Sequence, residues 1–162
     1  MRASWKGIAS GTAVVDMRVL CVTDDHGGLA GREWLTRAEP VHRQLRSQLP
    51  EDYVTRLNEV FANGARMSVV VDGDEVLCVA LWRLIENTYE GRRLYVDDLV
   101  SDEAHRSQGA GKMMLDWLEA KADTLGCDVL ALDSGVQRQR AHRFYFREGM
   151  HISSFCFRKA LK

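Results

Sequence analysis

The chain's 162 residues suit a single domain, and 46% hydrophobic with 28% charged content supplies both a core and a solvated surface. That composition excludes a disordered, collagenous or coiled-coil chain. Twenty-two Lys and Arg against 23 Asp and Glu leave a net charge of −1, so no global field draws the molecule to nucleic acid or to an anionic membrane.

Residues 1–16 hold Gly7, Ser10 and Gly11 and little periodicity, and read as an N-terminal extension: an upstream start, a tail or an extra edge strand. A single domain is expected over 17–162, opening with the strand Met17 to Val22. Leu35, Ala38, Val41, Leu45 and Leu49 then recur at three- and four-residue steps. Pro40 interrupts them, which places a helix at about 40–48 with the proline in its first turn. Pro50 stops it, and Tyr53, Leu57, Val60 and Phe61 mark a second helix ending at Asn63-Gly64. Two apolar runs around Asp72-Gly73-Asp74 form a hairpin over Arg66 to Ile85, and a third strand covers Arg92 to Ser101. Met114, Leu118, Ala122 and Leu125 share a helical face, with Gly126 where a left-handed cap belongs. Strand, helix and strand follow at Cys127 to Asp133, Val136 to Glu148 and His151 to Arg158.

The longest apolar run, Val76 to Trp82, is far shorter than the ~18 residues of a membrane span. Met1-Arg2 leads into mixed polar residues, not a signal peptide's apolar stretch of about 7–15 residues, so a cytoplasmic location is the default expectation. Cys21, Cys78, Cys127 and Cys156 are widely spaced, with no CxxC and no His at ligand offsets. They read as reduced core thiols, and no metal is expected.

The most informative stretch runs from Leu99, Val100 and Ser101 through Arg106, Ser107, Gln108, Gly109, Ala110 and Gly111 to Lys112. A strand passes through a glycine-bearing loop into a helix, where unpaired first-turn N–H groups and the helix dipole suit a diphosphate. Glycines that merely relieve crowding in an ordinary turn are the alternative. The spacing is not GxxxxGK[ST], and the antiparallel strands before it do not suit a dinucleotide-binding βαβ unit.

Arg106-x-x-Gly109-x-Gly111 resembles the acyl-CoA diphosphate loop of the GNAT family, the GCN5-related N-acetyltransferases, and the element order from Met17 to Phe157 is also theirs. Ala141, Tyr145 and Gly149 resemble that family's closing motif, Asn-x-x-Ala-x-x-x-Tyr-x-x-x-Gly-Phe. Arg138 stands where the family has an Asn that often contacts the pantetheine arm, Met150 replaces the aromatic, and Ser101 takes the place of a common Val. The resemblance implies an α/β fold whose mixed, mostly antiparallel sheet splays between strands 4 and 5 and is flanked by about four helices. It implies acetyl-CoA as co-substrate, with Leu99, Val100 and Ser101 pairing the pantetheine arm and residues 106–112 cradling the diphosphate. Ser134, Arg138 and Ala141 are its further cofactor contacts, and Tyr145 is the catalytic group at the departing sulfur.

Acetyl transfer needs a neutral amine, a polarised carbonyl and a protonated leaving thiolate. Asp97 and Asp98 are candidates for the first task; since adjacent strand residues alternate, at most one is expected to face the acceptor, and Asp98 is chosen. A carboxylate pair at a strand bulge, and water as the base, remain alternatives. Ser134 equally suits a helix cap, His142 has no evident nucleophile partner, and Arg138, Arg140, Arg143 and Arg147 form a solvated face from which one member reaches the 3′-phosphate. Trp34, Trp82 and Trp117 read as core anchors. The expected activity is direct acetyl transfer to a primary amine on a small molecule or peptide, with a homodimer plausible for the family. A noncatalytic acyl-CoA-binding module is the competing class.

Overall fold

A computed structural model describes residues 4–7 and 15–161, divided into two compact units, Met1–Ala131 and Leu132–Lys162. In the first unit, β2 (Val15–Cys21) is followed by α1 (Arg32–Leu45) and α2 (Tyr53–Ala62), then by the meander β3 (Ala65–Asp72), β4 (Glu75–Asn87) and β5 (Gly91–Ser101). A short turn of 3-10 helix, Glu103–His105, leads to α3 (Ala110–Thr124) and to β6 (Val129–Leu132). Ser4–Gly7 form β1, which pairs antiparallel with β2 and heads a six-stranded sheet in the order β1 to β6. The neighbours β5 and β6, joined through α3, are the parallel pair of this otherwise antiparallel sheet.

Alternation on the strands builds two apolar layers. Met67, Val69, Val79 and Leu81 pack with Leu35, Ala38, Val41, Tyr53, Leu57 and Phe61 of α1 and α2. On the opposite face Trp82 meets Trp117 of α3 edge to face at 6.2 Å and donates to the Ser68 hydroxyl. Trp82 and Trp117 thus fill the expected anchoring role, and half-buried Trp34 packs against the α1 and α2 layer under the Arg37 guanidinium.

The first helix begins eight residues before the expected start at Pro40. Pro40 sits inside it and costs its ladder one N–H, but buried Leu35, Ala38, Val41 and His42 lie on both sides of the proline. Burial of that stripe outweighs the roughly 3 kcal/mol penalty of an interior proline. The final strand expected over His151 to Arg158 is absent: residues 150–161 adopt no regular structure, and Ile152, Phe155 and Phe157 are exposed. Alternation selects a face for a strand but supplies no partner for its backbone. Only Cys78 is a core thiol, its pKa pushed up to about 12 by burial; Cys21 and Cys156 are exposed, and Cys127 lies between. β2 starts at Val15, two residues before the expected Met17, and residues 8–14 lie outside the described residues.

Candidate active site

The register of β4 against β5 shifts where Leu81 pairs with Asp98 but Trp82 pairs with Val96, so Asp97 opposes nothing. This bulge changes which residues face which layer. Before it, Leu94 and Val96 are buried, with Val96 opposite Trp82 on the α3 face; after it, Asp98 lies opposite Leu81, and Val100 packs into the α1 and α2 layer. Strict alternation between Asp97 and Asp98 therefore fails: both carboxylates find partners on the α1 and α2 face. The sequence signal was two adjacent aspartates inside an apolar strand, a composition that pairing alone does not favour.

Asp98 is 7% exposed and both its oxygens are occupied. His42 Nε2 lies 2.9 Å from Oδ2, and Arg46 Nε donates to Oδ1 at 2.6 Å. The other nitrogen of His42 lies 2.9 Å from the Tyr53 hydroxyl. Burial by itself would raise the Asp98 carboxyl, but the bonds from His42 and Arg46 prevail and hold it below the usual range. Burial raises the Tyr53 phenol, which stays protonated. The result is a closed polar chain joining α2, α1 and the bulge. His42 escaped the sequence reading, though its place seven and four residues beyond Leu35 and Ala38 on α1 marks it as inward-facing.

Asp97 is placed differently. Its Oδ2 accepts from Arg83 Nε at 2.7 Å, while Arg83 Nη1 donates to the Asn63 carbonyl at the end of α2. Here burial prevails over the guanidinium, and the carboxyl is raised. Arg83 also lines an open cleft of about 380 Å³ with Arg56, Glu59, Val60 and Asn63.

Downstream, Leu99, Val100 and Ser101 finish β5, and the chain turns through Arg106, Ser107, Gln108 and Gly109 into α3. Ser107 and Gly109 have φ of 66° and 93°, and no side chain caps the helix. Gly109 needs its lack of a Cβ for that left-handed backbone. Arg106 pairs with Glu103 and Lys112 with Asp116, both at the surface, while Ala110 is buried beneath the first turn and Gly111 continues it. Gln44 of α1 holds the loop's approach, donating to Asp102 at 2.7 Å and accepting from the Glu103 N–H at 2.9 Å. A strand end running into an uncapped, glycine-started helix fits a diphosphate-bearing arm.

In the second unit, α4 (Gln139–Arg147) carries half-buried Ala141 and Tyr145, with Arg138 at its N-cap. His142 Nε2 lies 3.0 Å from the Gly135 carbonyl, tying the helix back to the preceding loop. The Ser134 hydroxyl is buried with no hydrogen-bond partner among the described residues, an orphan that fits an amide of a bound arm. Among the described residues there is no cluster of metal-binding side chains, and no helix is long and apolar enough to cross a membrane.

The family match and the named relatives make the chain an acyltransferase of the N-acetyltransferase class. The Acetyltransferase (GNAT) family model matches residues 30–150, and the chain belongs to that family. It is 35% identical over 136 residues to the uncharacterized N-acetyltransferase YhdJ of Bacillus subtilis (strain 168), covering 81% of this chain and 94% of that protein. A shorter match, 39% identical over 66 residues, is to an aminoalkylphosphonate N-acetyltransferase of Salmonella typhimurium and spans 41% of this chain and 43% of that one. Among solved structures, aminoglycoside N-acetyltransferase AAC(6')-Iy in complex with CoA shares the fold, with a TM-score of 0.72 and 14% identity over 96% of this chain and 99% of that chain.

Proposed function

We propose that the protein transfers the acetyl group of acetyl-CoA to the primary amine of a small acceptor by direct attack in a ternary complex. The observation that carries this reading is the continuity of bulge, strand edge and uncapped helix along residues 97–112. Residues 106–112 bind the diphosphate, and Leu99, Val100 and Ser101 present backbone groups to the amide-bearing arm. A backbone N–H at that edge polarises the thioester carbonyl, an effect worth about 3 kcal/mol in comparable sites. The family resemblance assigns Ser134, Arg138 and Ala141 as further contacts of the arm.

The amine arrives as an ammonium and must lose a proton. Asp97, with one oxygen open and a raised proton affinity, suits that step better than Asp98, whose oxygens are both engaged. The nitrogen then attacks the carbonyl carbon, the carbon–sulfur bond breaks, and the sulfur leaves with the bonding pair. Tyr145 returns a proton to it, and the second amine proton, lost as the amide forms, restores the phenol through solvent. Asp98 acts as a positioning residue, fixing the bulge to α1.

The test follows free-thiol release from acetyl-CoA with and without amines, beside calorimetric CoA titration. CoA binding with amine-dependent thiol release is expected. Binding without release across a broad amine panel would establish the noncatalytic alternative.

A further inference from the structure

We propose that the cleft lined by Arg83 and Arg56, together with Asp97 bonded to Arg83 beside it, selects a small zwitterionic acceptor, with Asp97 taking the ammonium and Arg83 and Arg56 taking an oxyanion a few bonds away. The inference rests on the acetyltransferase reading and names its substrate class. Arg83 spends Nε on Asp97 and Nη1 on the Asn63 carbonyl, while Nη2 has no protein acceptor among the described residues. Asp97 likewise uses only Oδ2 of its side chain among the described residues, with no partner there at Oδ1. One donor and one acceptor of opposite charge thus stand side by side, each half satisfied.

The charge balance decides what enters. Asp97 and Arg83 are 25% and 28% exposed, so added charge there is poorly solvated. A bare ammonium would meet Asp97 but face the adjacent guanidinium and leave the cleft with one uncompensated positive charge. A zwitterion adds none and occupies both open groups. Arg56 and Glu59 on the outer wall form an exposed pair at 2.9 Å, from which Arg56 can turn to a second anionic oxygen at little cost. Val60 supplies the apolar contact for a short methylene spacer. Asp97 precedes Leu99 by two residues, roughly 7 Å along the strand, which puts an ammonium at Asp97 within reach of a thioester at that edge.

Thiol release would be measured with 2-aminoethylphosphonate, β-alanine and ethanolamine, amines matched in length that differ in the far group. Both anionic acceptors should show KM at least tenfold below that of ethanolamine, and the ratio between them separates a phosphonate reader from a carboxylate reader. Arg56→Gln, at an exposed helix position, should narrow the gap to ethanolamine at least fivefold. Ethanolamine matching the anionic amines, Arg56→Gln raising every KM alike, or turnover of other amines but of neither zwitterion would overturn this proposal alone. Absence of both CoA binding and thiol release would overturn the acetyltransferase reading beneath it.

Discussion

Two adjacent aspartates carry opposite shifts because a one-residue bulge gives them different neighbours. Asp97 is raised by burial, so as the proton acceptor it works only above a pKa higher than an ordinary carboxylate's. The acid limb of kcat/KM should lie above the ordinary carboxylate range, and Asp97→Asn should remove that limb and lower kcat/KM on the order of 100-fold or more, checked by rate profiles at subsaturating acceptor and saturating acetyl-CoA. An unchanged limb would leave the proton to water. Asp98 is depressed by His42 and Arg46 against its burial. A depressed carboxyl stabilises the fold above its unfolded pKa and loses that contribution as pH falls through the lower folded value. The melting-temperature advantage of wild type over Asp98→Asn should therefore be constant from pH 7 to about 4 and shrink below it. Tyr145→Phe should lower the maximal rate roughly 10- to 1,000-fold with acetyl-CoA affinity nearly unchanged, a split that single-turnover kinetics resolves.

At the scale of elements, the start of α3 is where backbone conformation and binding meet. Gly109 has φ of 93°, and a Cβ there would meet only the Met17 methyl at 3.9 Å, so conformation and not crowding restricts the position. Gly109→Ala should cost about 1–2 kcal/mol of local backbone strain and weaken acetyl-CoA binding about tenfold, read by calorimetry on a protein of native circular dichroism. The glycines, the first-turn N–H groups and the hairpin at Asp72-Gly73-Asp74 were legible in the sequence because turn chemistry is local. The extent of α1 was not: Pro40 is a local stop signal, and the layer of β3 and β4 that overrides it lies far along the chain. The bulge at Asp97 was hidden for the same reason, since its register exists only against β4. His42 and Tyr53 looked like ordinary members of apolar stripes, and only folding shows that their polar atoms bond to each other and onward to Asp98.

For the whole molecule, the order of strands and helices from Met17 onward followed from periodicity and turn residues, while the edges of the sheet did not. An edge depends on which segment finds an open ladder, and the apolar pattern of His151 to Arg158 does not encode that. The N-terminal edge did find one: Ser4–Gly7 pair with residues 15–18 of β2. The two apolar layers that fill the core are built from β3, β4 and the three helices of the first unit, none of which needs β1 for its packing. Removing residues 1–14 therefore deletes a four-residue ladder at one edge and leaves the glycine loop at the start of α3 intact. With each ladder bond worth about 1 kcal/mol net and offset by the ordering of the strand, the melting temperature should fall by only about 2–6 °C. CoA affinity should stay within about twofold. A fall beyond about 15 °C, or loss of CoA binding, would show instead that β1 is integral to the domain, because an unpaired β2 would then have released the β3 edge and the layer that supports Asp98.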